Sequence, residues 1–185
     1  FSPLPVPAGE RLERAVDPAR DHLFGPAGAP ATLVVYAAMD DTYRKDTVEA
    51  LKDVRVRLGD DLCTVFRHHA ETPETMFAAL ALEAAGAQGK FRDMHEALVR
   101  FPGPIDEDSV TAVAASVGLD IEKFTDRVQR ALDSDRVEDD NLDARAAEFP
   151  NTPVLFAQGR RIDGPLASGN LIDTLTQVIA LERQT

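Results

Sequence analysis

Val35-Tyr36-Ala37-Ala38-Met39-Asp40-Asp41-Thr42-Tyr43-Arg44 runs from a strand into the start of a helix. It is the exit of an apolar run, Thr32-Leu33-Val34-Val35-Tyr36, which is short and rich in β-branched residues. Such a run is expected of a strand buried on both faces. From Thr42 the spacing changes. Val48, Leu51, Val54 and Leu58 mark one face of a helix, and Gly59 ends it. Leu62-Cys63-Thr64-Val65-Phe66 is a second short apolar strand. Strand, helix, strand is a βαβ unit, for which a right-handed crossover and parallel strands are expected.

Downstream the pattern becomes helical. Pro73 to Ala87 is alanine-rich, and Lys90 to Phe101 carries Phe91, Met94, Leu98 and Phe101. Asp106 to Val117, Asp120 to Leu132 and Asp135 to Phe149 read as three more helices, each opened by an acid suited to an N-cap or first turn. Two strands follow, Val154 to Ala157 and a partner near Arg161-Ile162, joined through Gln158-Gly159-Arg160 as a tight hairpin. Gly164-Pro165 breaks the chain before a closing helix, Leu166 to Leu181. The order is β-α-β, a helical block, then β-β-α, an α/β fold. Residues 1–30, rich in Pro, Gly and Ala around a candidate helix from Gly9 to Val16, read as an N-terminal arm or linker. Residues 31–185 read as the domain, with the helical insertion at about 73–149.

The bulk numbers narrow the function. At 185 residues, 44% hydrophobic and 28% charged, the chain suits one globular domain with a sizeable core. Its formal net charge is −12, from 32 acids against 20 bases. That field repels phosphate backbones, so nucleic acid is not an expected partner and basic peptides or proteins are. No apolar run approaches the roughly 18 residues of a helical membrane span. Phe1-Ser2-Pro3-Leu4-Pro5-Val6-Pro7 does not read as a signal peptide and suggests a piece of something longer. The compartment stays open. Cys63 is the sole cysteine, so no internal disulfide forms.

Several segments together resemble the DsbA-like branch of the thioredoxin fold, from about Asp21 to the end. They are Asp21-His22…Gly25-Pro26…Ala29-Pro30, Phe66-Arg67-His68, Glu83-Ala84-Ala85-Gly86-Ala87-Gln88-Gly89-Lys90-Phe91…Met94-His95, and Asn151-Thr152-Pro153-Val154-Leu155-Phe156 with Gly159-Arg160-Arg161…Asp163-Gly164-Pro165. The arm is also similar to the entry of DsbA-like domains fused behind sodium/proton antiporters in some bacteria. The resemblance implies a thioredoxin-like fold with a DsbA-type all-helical insertion. It also implies that Asp41 and Arg44 occupy the positions of the family's two Cys-x-x-Cys cysteines. The residue before Pro153 would follow the family in forming a cis peptide bond and in offering its backbone to an extended peptide.

The chemistry that remains is therefore not sulfur exchange. Dithiol exchange needs a thiolate at low pKa and a resolving thiol, and Asp41-Thr42-Tyr43-Arg44 has neither. Asp41 is expected to accept amide hydrogen bonds at the helix start, worth about 0.5–2 kcal/mol. Arg44, a cation in a first turn, is expected to pair with Asp40 or Asp41. The segment is then either a structural cap or a polar ligand site. Thr152-Pro153 is retained either by the fold or as part of a peptide-contacting groove. Cys63, mid-strand, reads as an inert core thiol or as a one-thiol site. His68-His69 with Glu71 and Asp41 do not share a strand face, and Asp133 to Asp140 lacks the central Gly of a calcium loop, so no metal site is expected.

Three functional readings follow. The first is a redox-inactive DsbA-like module that binds peptides or a partner protein, with Asp41, Thr42, Tyr43, Arg44, Thr152 and Pro153 as candidate contacts, no catalytic residue and no cofactor. The second rests on a likeness to kappa-class glutathione transferases and chromene-carboxylate isomerases. It would use Thr42 or Tyr43 to orient a bound glutathione. The third is an accessory domain on a larger, transporter-bearing chain.

Overall fold

A computed structural model of the chain describes residues 10–149, 152–163 and 166–185. The Pro-rich start, Gly9, Asn151 and the Gly164-Pro165 break lie outside the described residues. The chain forms two compact units. One contains the described residues through Ala37 together with Glu49–Arg67 and Leu142–Thr185, and the other Ala38–Val48 and His68–Asn141.

The first unit is built on a five-stranded sheet. Its strands are β1 (His22–Phe24), β2 (Ala31–Ala37), β3 (Leu62–His68), β4 (Val154–Ala157) and β5 (Arg160–Ile162), in the order β1-β3-β2-β4-β5. β1 runs antiparallel to β3, β4 to β2 with Val35 opposite Leu155, and β5 to β4. Every residue of β3 is buried, the mostly apolar Leu62–Phe66 as expected and Arg67 and His68 with it. Val34, Tyr36, Cys63, Val65, Val154 and Phe156 form one core cluster, against which Leu12, Val16, Leu23 and Phe149 pack. Helix α1 (Val48–Leu58) joins β2 to β3 and buries Leu51 and Val54.

Residues 10–30 differ from an arm. Glu10 to Val16 are not helical. Arg11 bridges to Arg160, the Leu12 amide donates to the Gly159 carbonyl at 2.9 Å, and the Arg161 amide donates to Glu10 at 3.0 Å. The segment thus extends the sheet past β5, satisfying edge groups that would otherwise face water. β1 then supplies the opposite edge, and Gly25 (φ 119°) turns the chain so closely over β3 that a Cβ there would lie 2.5 Å from the Leu62 carbonyl oxygen. The breakers were legible, but the pairing needed partners far along the chain.

A charge sits inside this unit. Arg67, on β3, has no exposed side-chain surface and donates to both carboxylate oxygens of Asp21, at 3.0 and 2.9 Å. Its remaining donors reach the Tyr36 hydroxyl at 3.0 Å and the carbonyls of Arg14 and Ala15 at 2.8 and 3.1 Å. A fully hydrogen-bonded pair is the form in which buried charge is tolerated.

The second unit is helical: α2 (Pro73–Gly86), α3 (Phe91–Arg100), α4 (Glu107–Ser116), α5 (Ile121–Gln129) and the first part of α6 (Ser134–Ala146). The alanine run of α2 lets neighbours approach, and Ala78, Ala81, Leu82 and Ala85 are buried as it packs on α3 and α5. α3 buries Phe91, Met94, His95 and Leu98, one face at helical spacing. Asp106 and Asp120 cap α4 and α5 by accepting the amides of Ser109 and Lys123. Asp135 falls in the first turn of α6, so the acidic run from Asp133 to Asp140 is largely helical. The side chains of Asp140 and Asn141 accept the amides of His68 and Ala70, at 2.9 and 2.8 Å, where the chain leaves β3. A closing helix, α7 (Ser168–Glu182), lays Leu171, Leu175 and Ile179 inward and packs on β2 in the first unit.

Candidate functional site

The start of the helix after β2 is where the resemblance places the family's two sulfurs. Ala37, Ala38 and Met39 carry the chain out of the strand, all buried. Asp40, not Asp41, is the cap. Its Oδ1 accepts the Tyr43 amide at 2.9 Å, and its carbonyl accepts the Arg44 amide at 3.0 Å. Helical conformation begins at Asp41, so Asp41 stands one residue too late for the capping geometry and its carboxylate turns to solvent, 76% exposed. A wider, π-type turn over Tyr43–Thr47 follows, with the Val48 amide reaching back to the Tyr43 carbonyl. Tyr43 and Thr47 are both buried in it, where an α-helix had been expected.

Arg44 meets one of its two expected partners, Asp41, and also reaches further along the chain. Asp41 is its ion-pair partner only at 3.8 Å. The guanidinium instead donates from Nε to the Leu98 carbonyl at 3.2 Å, and from Nη2 to the carbonyls of Phe101 and Gly103. Leu98 lies in the last turn of α3, where its carbonyl also accepts the Phe101 amide at 3.2 Å and the dipole favours a cation. Arg44 is thus a clamp on the α3–α4 loop.

Tyr43 is equally committed. It is 3% exposed, and its hydroxyl lies 2.7 Å from His95 Nε2 with the rings edge to face. Phe91 stacks on His95 and meets His68 edge-on, and His68 Nε2 lies 2.7 Å from Glu83 Oε1. The glutathione reading loses Tyr43 as a free hydroxyl. Thr42 is exposed at the turn. His68 belongs to this buried network, and among the described residues no group of three or more His, Cys, Asp or Glu is placed to hold a metal ion.

Between the helix start and the α3–α4 loop lies a pocket of about 470 Å³, lined by Asp41, Arg44 and Lys45 on one side and by Val99 and Phe101–Pro104 on the other. In the first unit, the Thr152–Pro153 peptide bond is cis, immediately before β4. Cys63 is buried there with its Sγ 3.8 Å from the Gly25 carbonyl oxygen, and burial pushes its thiol above the usual range. A buried thiol held protonated is a poor nucleophile.

The architecture is the DsbA-like form of the thioredoxin fold. A thioredoxin-like oxidoreductase from Silicibacter pomeroyi DSS-3 superposes with a TM-score of 0.76 at 22% identity, covering 91% of this chain and 95% of that one. BdbD from Bacillus subtilis gives 0.76 at 18% identity over 94% and 98%, and α-DsbA1 from Wolbachia pipientis 0.75 at 14% over 90% and 94%. No protein-family model matches the sequence. In sequence, the chain is 37% identical over 176 residues to the Na(+)/H(+) antiporter NhaA 1 of Mycobacterium sp. (strain KMS), which takes in 92% of this chain and 29% of the antiporter. It is 35% identical over 153 residues to the Na(+)/H(+) antiporter NhaA of Herminiimonas arsenicoxydans, 83% of this chain and 25% of that protein. The chain spans less than a third of these relatives' length. A DsbA-like domain of the kind carried on an antiporter fits both comparisons. Among the described residues, no helix is long and apolar enough to cross a membrane.

Sequence reasoning singled out Asp41, Thr42, Tyr43 and Arg44 and missed Asp40, Lys45, His95 and the Phe101–Pro104 loop. Asp40 was findable, because an Asp three residues before Tyr43 at a strand exit is an N-cap signature. The loop announced itself only as Pro-Gly-Pro punctuation.

Proposed function

We propose that this chain is a redox-inactive DsbA-like module that binds an extended peptide or a partner protein and serves a membrane transporter to which it is attached. The observation that carries the reading is the fate of the two sulfur positions. Asp41 is a solvated anion and Arg44 is engaged with three carbonyls, while the one thiol, Cys63, is buried elsewhere. Such a site can hold a charged or hydrogen-bonding group but has nothing to exchange electrons with. In this reading Asp41 and Thr42 supply side chains to the bound partner, and Tyr43 and Arg44 set the shape of the turn. Separately, in the first unit, Thr152 and Pro153 offer backbone acceptors in the manner of strand addition. The antiporter relatives support attachment to a transporter, and the net charge of −12 favours a basic partner segment.

The test is direct. Insulin reduction with dithiothreitol should proceed no faster with the protein than without it, and the same for C63A. Turnover by C63A would overturn the reading. Titration with a library of basic extended peptides, followed by amide NMR, should shift the resonances of Asp41, Thr42 and Thr152. Shifts confined to other surfaces would overturn the assignment of the contacts.

A further inference from the structure

The pocket beside Arg44 has a composition that points to a ligand class of its own. Its volume, about 470 Å³, falls within the roughly 300–1,000 Å³ of small-molecule sites. One wall is apolar, from Val99, Phe101, Pro102 and Pro104; the other carries two cations and one carboxylate. The Arg44 side chain is 9% exposed, and its Nε and Nη2 are used by backbone carbonyls. Its Nη1 has Asp41 Oδ1 at 3.8 Å, beyond hydrogen-bond distance. The Lys45 ammonium, 72% exposed, reaches the same carboxylate at 3.4 Å. Two cationic donors therefore share one 76% exposed carboxylate, held by a long Lys45 hydrogen bond at 3.4 Å and lying 3.8 Å from Arg44.

We propose that this pocket binds a carboxylate attached to a compact apolar body, the carboxylate seated on Arg44 Nη1 and Lys45 Nζ in place of Asp41, and the body against Phe101, Pro102 and Pro104. A guanidinium already fixed by three carbonyls loses little freedom on accepting a fourth partner, which favours it as an anion seat. The apolar wall excludes water from one side and strengthens the charge-assisted bonds. Asp41 acts as the resident competitor. The pocket shares Asp41 and Arg44 with the peptide site proposed above but does not rest on it. The insulin assay and the Thr152 resonance report on that reading alone, so the two can fail separately.

3-Phenylpropionate is a suitable probe, titrated into the intact chain and followed by amide NMR. The amides of Lys45, Phe101 and Gly103 should shift and saturate. 3-Phenylpropionamide, which keeps the ring and loses the charge, and propionate, which keeps the charge and loses the ring, should each bind about tenfold more weakly or worse. K45Q should weaken binding several-fold and added salt should do the same, whereas D41N should tighten it. Both substitutions fall on exposed side chains, and the spectrum itself reports that the fold is intact. N-acetyl-Gly-Phe with a free rather than amidated carboxyl distinguishes the source. Tighter binding than the probe assigns the site to a peptide C-terminus, and weaker binding to a free small acid. Equal affinity for acid and amide, weakening by D41N, or no saturable shifts at these amides would overturn the proposal.

Discussion

The Nε of Arg44 donates to the carbonyl of Leu98 at 3.2 Å, tying the helix start that carries Asp41 to the last turn of α3 across 54 residues of sequence. The same guanidinium closes on Phe101 and Gly103. Arg44 is therefore a structural residue, and its loss should be felt in the loop before it is felt anywhere else.

Replacing Arg44 by Gln should therefore destabilise the protein by about 1.5–3 kcal/mol, the usual cost of losing hydrogen bonds to a charged donor. Hydrogen exchange should quicken at Phe101 to Ile105 in particular. The double substitution D41C/R44C should show the same loss of stability, because introducing two thiols there removes the clamp. Urea denaturation and exchange NMR measure both, and unchanged protection in the loop would count against the clamp.

The Asp21–Arg67 pair makes a prediction with a definite pH sign. Burial pushes the Asp21 carboxyl up, but the Arg67 hydrogen bonds, the Asp17 amide and the nearby positive charges outweigh it and hold the carboxyl below its ordinary value. A depressed folded pKa gives stability that is present above the unfolded pKa of about 4 and is lost as pH falls through the folded value. D21N should cost about 3–5 kcal/mol at neutral pH, since Arg67 is left buried and uncompensated. The gap between parent and variant in urea should narrow below about pH 4. A gap equal at pH 3 and pH 7 would show that the carboxylate's charge is not what holds Arg67.

Cys63 should be silent in the native state. With its side chain in the core and its thiol pushed up by burial, labelling by a thiol reagent should follow opening of the first unit and not the chemistry of the reagent. Native protein at neutral pH should label at least about a thousandfold more slowly than urea-unfolded protein. Labelling at the rate of a free thiol would place Cys63 at the surface.

Tyr43 separates the binding-module reading from the glutathione reading. Because its hydroxyl meets His95 at 2.7 Å inside the core, Y43F should cost about 1–3 kcal/mol through the polar partner left behind. Millimolar glutathione should leave the Tyr43 and His95 resonances where they are. Displacement of both by glutathione would revive an enzyme of the transferase type.

The order of elements was legible along the chain, because that order is written in local periodicity. Apolar runs such as Leu33 to Tyr36 have no charged face to turn outward, the helices after Pro73 repeat at helical spacing, and Asp106 and Asp120 carry their own caps. It was equally legible that no dithiol exists, since Cys63 stands alone. Only the tertiary structure decided what the remaining polar groups do. Whether Asp40 or Asp41 caps the helix turns on one residue of register. Whether Arg44 pairs with a neighbouring acid or clamps a distant loop depends on where α3 ends, and Arg67 shows a charge inside a strand finding Asp21 46 residues away. Hydrophobic burial depends on pattern and survives small changes of register. Hydrogen bonds depend on distance and angle between groups far apart in the chain, and those are fixed only when the chain is folded.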